Sequence, residues 1–187
     1  MDSWNALKAE CSRCESCELC HTRHNLVFGV GNENARVMFI GEGPGEQEDL
    51  KGEPFVGPAG QLLDKMLEII YLDRSDVYIT NIIKCRPPRN RDPLPAEQEA
   101  CIGWLRRQIA LIDPPILVFL GRIAASYFLG SDFKITRQHG QWFDLDGRRA
   151  IALYHPSALL RDPDKRPETF VDLKTLEQEI NKLKCLT

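Results

Sequence analysis

The sequence predicts an α/β protein, a three-layer α/β/α sandwich whose central sheet has four mainly parallel strands. Short apolar runs rich in β-branched and aromatic residues indicate buried strands, and amphipathic segments with helical periodicity separate them. Strands that alternate with helices form βαβ units, whose parallel sheet needs helices on both faces. No repeat, low-complexity tract or flexible linker divides the 187 residues, so we expect residues 1–187 to form a single domain.

Four strands and four helices account for most of the periodic segments. The predicted strands are Arg36–Ile40, Val77–Thr80, Ile116–Leu120 and Ala150–Tyr154. Apolar residues recur every three or four positions in the segments between and after them, which predicts helices. The predicted helices are Ala59–Tyr71, Ala96–Ile112, Arg122–Leu129 and Phe170–Leu183.

Composition narrows the functional classes. No apolar run approaches the roughly 20 residues that cross a bilayer. The N-terminal stretch MDSWNALKAE is polar, so we expect a cytoplasmic protein with no signal peptide and no membrane partner. A net charge of −3 gives no overall sign of nucleic-acid binding, so any such surface must be local. The best local candidate is the segment KCRPPRNRD, which carries Lys84, Arg86, Arg89 and Arg91.

Polar side chains follow the predicted strands at the points where they end. Glu42 follows the first strand, Asn81 the second and His155 the fourth, while Gly121 and Arg122 follow the third. Ligands of open parallel sheets bind beyond the carboxyl ends of the strands. We therefore expect a carboxylate, an amide and an imidazole to meet at one edge of the sheet.

The glycine-rich loop GEGPGEQED does not match the common phosphate-binding motifs. The G-x-G-x-x-G pattern fails because Glu46 stands where its third glycine would be, and no Gly-Lys-Ser/Thr follows. Its acidic residues favour a carboxylate that takes part in chemistry, with Asp49 as a turn or cap residue. Phe55 lies in the Gly/Pro-rich loop GEPFVGPAG, where we expect an exposed ring able to stack on a planar ligand.

The cysteines predict a metal site. A reducing compartment disfavours disulfides, and clustered thiols there more often bind metal. Four thiolates could come from a local set at positions 11, 14, 17 and 20. They could instead come from Cys14 and Cys17 together with Cys85 and Cys101. Residue types alone leave zinc and an iron-sulfur cluster as alternatives.

Six segments together resemble the iron-sulfur uracil-DNA glycosylases, family 4 of the uracil-DNA glycosylase superfamily. The resemblance extends over roughly residues 11 to 183. The segments are CESCELCHTR, VFGVG, GEGPGEQEDLKGEPFVGPAGQLLDKML, VYITNIIKCRPPRNRDP, FLG and YHPSALLR. His139, in ITRQHG, matches no catalytic position, and we expect it to make a surface or phosphate contact.

The resemblance implies a [4Fe-4S] cluster with a structural role, with zinc as the alternative occupant. Its implied ligands are Cys14, Cys17, Cys85 and Cys101, and a register using Cys11 and Cys14 is the alternative.

The resemblance also implies the roles of the strand-end residues. Glu42 and His155 would be catalytic, and Asn81 would read the Watson-Crick edge of uracil. Phe55 would stack on the base, Glu48 would guard its C5 face against a methyl group, and Gly43 would lie beside it. The implied DNA-binding residues are Arg86, Arg89, Arg91, Leu159, Leu160 and Arg161, with Leu159 or Leu160 entering the base stack.

The implied function is hydrolysis of the N-glycosidic bond of uracil in DNA by a monomeric, monofunctional enzyme. Its partner would be uracil-containing DNA, single- or double-stranded, and the sequence does not identify which protein partners, such as a sliding clamp, it has. The alternatives are a catalytically silent iron-sulfur module that binds DNA and an iron-sulfur electron-transfer protein.

Overall fold

A computed structural model describes residues 3–184 of the chain. Cys185, to which the sequence assigned no role, lies outside the described residues. Six strands are present in the described part: β1 (Val30–Gly31), β2 (Val37–Gly41), β3 (Tyr78–Asn81), β4 (Ile116–Leu120), β5 (Trp142–Leu145) and β6 (Arg148–Leu153).

Helices occupy most of the remaining chain. The α-helices of the described part are α1 (Trp4–Ser12), α2 (Glu46–Lys51), α3 (Pro58–Ile69), α4 (Pro95–Ile112), α5 (Arg122–Leu129), α6 (Ile135–Gln138), α7 (Pro156–Arg161) and α8 (Arg166–Lys184). Short 3₁₀ helices cover Glu18–His21, Pro88–Asn90 and Pro163–Lys165. Among these helices, none is both long enough and apolar enough to cross a membrane.

The strands form one sheet in the order β1-β3-β2-β4-β6-β5. The four central strands are parallel and correspond to the four predicted strands, while β1 and β5 pair antiparallel at the edges. The α/β class is therefore confirmed, but the predicted number of strands is wrong. The edge strands escaped prediction because β1 has only two residues and β5 is only partly buried.

Both faces of the sheet are covered by helices. In β2, Met38 and Ile40 contact the core layer that contains α4 and α5, whereas Val37 and Phe39 contact the layer that contains α3, α7 and α8. Alternate side chains of a strand point to opposite faces, so a strand covered on both faces is apolar throughout. This double burial produced the continuous apolar runs in the sequence.

A lysine is buried completely beneath the end of β3. The Nζ of Lys84 donates to Thr80 Oγ1 at 2.6 Å, to Gln108 Oε1 at 2.7 Å and to the carbonyl oxygen of Asn81 at 2.9 Å. Burial lowers the pKa of Lys84 to about 8. Lys84 therefore takes no part in the basic surface predicted for KCRPPRNRD. Its bonds join the end of β3 to α4.

Replacing Gln108 by leucine should destabilise the fold. The variant removes an acceptor from a buried ammonium, and it removes the donor to the Phe28 carbonyl and Tyr78 hydroxyl. Unsatisfied buried polar groups cost about 1–3 kcal/mol each, so we expect a loss on the order of 3 kcal/mol in urea denaturation. Gln141→Leu is the matched control, since this exposed glutamine makes one backbone hydrogen bond. Equal stability of the two variants would contradict the structural importance of the buried cation.

Candidate active site

A cleft of about 470 Å³ lies at the carboxyl ends of the parallel strands. The pairing of Gly41 with Asn81 places the ends of β2 and β3 side by side. The predicted meeting of strand-end side chains at this edge is confirmed, because the cleft contains all of them. Its walls include Glu42, Gly43, Glu48, Phe55, Asn81 and His155.

Asn81 presents an unpaired acceptor in this cleft. The residue is 2% exposed, and its Oδ1 has no hydrogen-bond partner among the described residues. Its side chain lies over Gly41, where an added Cβ would come within 2.4 Å of Oδ1. A buried acceptor without a donor is costly, so this position is suited to a ligand that brings an N–H group.

Glu42 titrates near neutral pH. Burial and, to a smaller extent, the negative charge of Asp92 raise the pKa of its carboxyl to about 7, while the charges of Arg122 and Arg161 oppose the shift. Asp92 and Arg122 form an ion pair at 2.9 Å and also line the cleft. Sequence analysis gave no role to either residue, although Arg122 directly follows β4. Small changes in local charge will therefore decide whether Glu42 is ionised.

His155 is neutral in the cleft. Burial lowers its pKa to about 4, and the charge of Arg161 acts in the same direction. Its Nδ1 accepts a hydrogen bond from the backbone N–H of Ser157 at 3.1 Å, at the start of α7. A neutral imidazole whose Nδ1 accepts carries its proton on Nε2. Gly121, with a φ of 90°, permits the close approach, since a Cβ there would lie 2.9 Å from that of His155.

Phe55 is buried, contrary to the prediction of an exposed ring. Its side chain is 5% exposed and packs in the core layer of α3 and α8 while still lining the cleft. The ring centroid is 5.5 Å from that of His155, with the two planes tilted by 30°. The cleft therefore has an aromatic wall next to the imidazole.

Glu48 holds the loop that carries Phe55. Its Oε1 accepts from the backbone N–H groups of Val56 at 2.9 Å and Gly57 at 3.0 Å, and its Oε2 accepts from Gly45 at 3.1 Å. These three bonds were not predicted from the sequence. They give Glu48 a structural task in addition to its place on the cleft wall.

Asp49 connects two segments of the chain, and it is not the predicted turn or cap residue. It is 1% exposed, and its carboxylate accepts from the backbone N–H groups of His24 and Asn25 at 2.9 and 3.3 Å. The ring of His24 contacts it at 2.6 Å. Asp49 thus connects α2 to the segment that follows the N-terminal cysteines.

The predicted DNA-binding arginines differ in their availability. Arg161 lines the cleft, and Arg89 is exposed. Arg86 donates to Asn90 and pairs with Glu46. Arg91 also borders the cleft, but its guanidinium binds both oxygens of Glu97 at 2.6 and 2.9 Å. Its side chain is therefore already paired within the protein.

Two further expectations are corrected by burial and pairing. Leu159 is 2% exposed in the core, whereas Leu160 is 42% exposed, so only Leu160 is available to enter a base stack. His139 is no surface contact, because its ring lies between Asp172 at 2.6 Å and Glu168 at 3.3 Å. These contacts fasten α8 to the end of α6.

Five cysteines line one small apolar cavity beside the cleft loops: Cys14, Cys17, Cys20, Cys85 and Cys101. Cys11 is fully buried with Leu7 and Phe28 and does not line this cavity, so the cavity favours the set that includes Cys85 and Cys101 over a local set of positions 11, 14, 17 and 20 and over a register that uses Cys11. Within residues 3–184, no three His, Cys, Asp or Glu side chains converge on one point as ligands of a metal ion.

The cysteine cavity supplies hydrogen-bond donors to sulfur. Each of three cysteines receives an N–H group at 3.2 Å, and such bonds stabilise thiolates and tune iron-sulfur centres. The pairs are Trp104 Nε1 with Cys14 Sγ, Arg23 Nη1 with Cys85 Sγ, and the backbone N of Lys84 with Cys101 Sγ. The chemistry of this set fits thiolate ligands of a metal group.

Comparison of the sequence with known proteins shows which family the chain resembles. The sequence model of the Uracil DNA glycosylase superfamily matches residues 28–178. The type-4 uracil-DNA glycosylase of Archaeoglobus fulgidus is 46% identical over 184 residues, covering 94% of this chain and 92% of its own. That of Thermotoga maritima is 49% identical over 142 residues, covering 75% and 74%. That of Saccharolobus solfataricus is 42% identical over 193 residues, covering 98% and 86%.

The matched region contains the whole cleft, from Glu42 to Arg161, and these relatives share one name. The identities far exceed the level needed to show common descent, and the matches extend over most of both partners. The chain therefore belongs to the uracil DNA glycosylase superfamily, in its type-4 family.

Proposed function

We propose that this protein removes uracil from DNA by hydrolysing the N-glycosidic bond, which leaves an abasic site. The observation that carries the proposal is the buried, unpaired Oδ1 of Asn81, in one cleft with the carboxyl of Glu42 and the neutral imidazole of His155. An acceptor, a carboxylate and an Nε2–H donor are the groups that uracil recognition and glycosidic cleavage require.

Asn81 selects the base. The N3–H group of uracil would donate to Oδ1, and Nδ2 would donate to O4. Cytosine has an acceptor at N3 and a donor at C4, so it would leave buried groups unpaired on both sides. Phe55 would stack on the pyrimidine from the wall beside His155.

Cleavage separates charge between the sugar and the base. When the bond between C1′ and N1 breaks, its electron pair leaves with uracil and positive charge develops on the sugar. Ionised Glu42 stabilises that cation, orients the water whose oxygen attaches to C1′, and accepts the proton that this water loses. The Nε2–H of His155 donates to O2 as the base becomes anionic, so both charges meet a preorganised partner.

The base must leave the duplex before it can reach the cleft. Extrusion costs a few kcal/mol, and less for a mispaired uracil. Leu160, on α7 beside the cleft, is the exposed apolar side chain that would fill the gap. Arg86, Arg89 and Arg161 would bind phosphates, with Arg91 holding the loop through Glu97, so DNA binding should weaken as salt rises.

The cysteine cavity would hold a [4Fe-4S] cluster through Cys14, Cys17, Cys85 and Cys101. The N–H groups that donate to the sulfurs of Cys14, Cys85 and Cys101 suit an iron-sulfur group, whose properties such bonds tune. The cluster would join the N-terminal segment to the KCRPP loop and to α4, so residues 1–187 would act as one domain. Its role is structural, since hydrolysis requires no electron transfer.

A catalytically silent iron-sulfur module that binds DNA would need neither a neutral imidazole nor an unpaired amide in the cleft. An electron-transfer protein would have no use for the cleft at all. The strand-end residues therefore favour the glycosylase over both alternatives. A monomeric state, a cytoplasmic location and the choice between single- and double-stranded DNA stay predictions.

The function is tested with matched single-stranded oligonucleotides that contain one uracil, thymine or cytosine, followed by alkaline cleavage of abasic sites. We expect breaks only at uracil with the wild-type protein, and loss of breaks in Glu42→Ala and His155→Ala. Asn81→Asp should weaken discrimination against cytosine, because a protonated carboxyl can donate to N3 of that base. No breaks at uracil would refute the function, and unchanged discrimination by Asn81→Asp would refute the role of the amide.

The pH dependence of kcat/KM should follow the ionisation of Glu42. The rate should rise with pH to a plateau with an apparent pKa of about 7, because the ionised form is the active one. His155, with a pKa of about 4, is neutral throughout this range and adds no second limb. Asp92→Asn should move the limb to lower pH by removing the negative neighbour. A limb that stays in place in this variant would show that another group is titrating.

Serine substitutions should separate ligand cysteines from bystanders. We expect C14S, C17S, C85S and C101S proteins, purified without oxygen, to lose iron and acid-labile sulfide, while Cys11→Ser and Cys20→Ser retain both. Cys20→Ser is the sharper control because Cys20 lines the same cavity. Loss of iron in Cys20→Ser with retention in Cys14→Ser or Cys17→Ser would overturn the proposed register.

A further inference from the structure

The backbone of Phe55 is held in an uncommon conformation. Its φ is 54°, in the left-handed region that side-chain-bearing residues rarely adopt and that raises the free energy of a bulky residue. Such a conformation persists only where surrounding contacts impose it. Besides the bonds of Glu48 to the two residues that follow Phe55, contacts from outside the cleft hold this conformation.

Arg74 donates hydrogen bonds to the two backbone carbonyl groups at this point of the loop. Its Nη1 donates to the oxygen of Pro54 at 3.1 Å, and its Nη2 donates to the oxygen of Phe55. Its Nε donates to Asp64 Oδ1 at 2.6 Å, and Asp64 belongs to α3. The planar guanidinium is thus anchored on a helix and bridges two successive carbonyls.

Gly60 confines the same peptide from the side of α3. A Cβ at Gly60 would lie 1.7 Å from the carbonyl oxygen of Phe55, so the loop approaches the helix more closely than any other residue would allow. On the other side, the ring reaches Gly41, where a Cβ would lie 2.7 Å from its Cζ. The contacts of Arg74 and Gly60 with the backbone of Phe55 therefore set the orientation of its ring.

We propose that Arg74 is a positioning residue for base recognition, acting through Phe55. The inference rests on the proposed function, since it assumes that the ring of Phe55 stacks on uracil. Arg74 lies outside the lining of the cleft and touches no group there except through the loop. It keeps the carbonyl of Phe55 turned towards its guanidinium and the ring turned towards the cleft.

Lysine should not replace Arg74. Its single ammonium carries the same charge, but it cannot bridge two carbonyls and a carboxylate with a rigid fork. Arg74→Lys should therefore resemble Arg74→Ala in base binding. Arg148→Ala is the matched control, because it removes an arginine that pairs with Asp113 near the opposite end of the parallel strands.

The test is calorimetric binding of free uracil to the intact protein, which needs no turnover. Arg74→Ala and Arg74→Lys should weaken binding about tenfold or more, while Arg148→Ala stays within twofold of wild type. In a Phe55→Ala background, adding Arg74→Ala should cause no further loss, since coupled residues are not additive. Affinity for an abasic-site oligonucleotide should change less than twofold in every Arg74 variant, which a general loss of structure would not allow.

Unchanged uracil binding in Arg74→Ala would overturn the proposal, and so would an equal additional loss in the Phe55→Ala background. Should Arg74→Ala fail to fold, Asp64→Asn provides the second variant, because it removes the charged anchor and leaves Arg74 in place. It should weaken uracil binding in the same direction, and wild-type affinity would count against the inference. Wild-type protein that binds uracil but makes no breaks at uracil in DNA would refute the proposed function alone.

Discussion

The buried ammonium of Lys84 is the interaction on which both the cleft and the cysteine cavity depend. Its three acceptors are neutral, and no carboxylate pairs with it within the described residues. A buried cation is costly unless its donors are satisfied, and here three polar acceptors satisfy them. One of its bonds fixes the carbonyl of Asn81, its own backbone N donates to Cys101, and Cys85 is the next residue. Asn81, proposed to read the base, and two of the proposed metal ligands are thus all connected to one residue.

A second connection runs through two adjacent carboxylates of α2. Glu48 binds the backbone of the loop that carries Phe55, while Asp49 binds the backbone after the N-terminal cysteines. Neighbouring residues of a helix point in different directions, so one short helix reaches both segments. α2 therefore connects the cysteine segment to the wall of the cleft, because both carboxylates accept from backbone N–H groups.

The sequence predicted those features that follow from the burial of whole strands and from their parallel arrangement. Central strands were found because both their faces are covered, and the meeting of Glu42 with Asn81 and His155 follows from parallel strands alone. How deeply a loop side chain is buried cannot be read from such a sequence pattern. The Gly/Pro-rich segment around Phe55 does not show that α3 and Arg74 draw the ring inwards. The choice between Leu159 and Leu160 depends on how α7 sits against α3, which is a property of packing.

Desolvation of one cleft sets the protonation of the two proposed catalytic groups in opposite senses. Burial disfavours charge, so it raises the pKa of the Glu42 carboxyl to about 7 and lowers that of the His155 imidazole to about 4. In water the pKa of a glutamate carboxyl is lower than that of an imidazole. The cleft reverses this order. Between the two values both groups are uncharged, and above about 7 an anion faces a neutral donor. The proposed cleavage needs that last combination, so Arg161, which favours ionised Glu42, would serve catalysis as well as DNA binding.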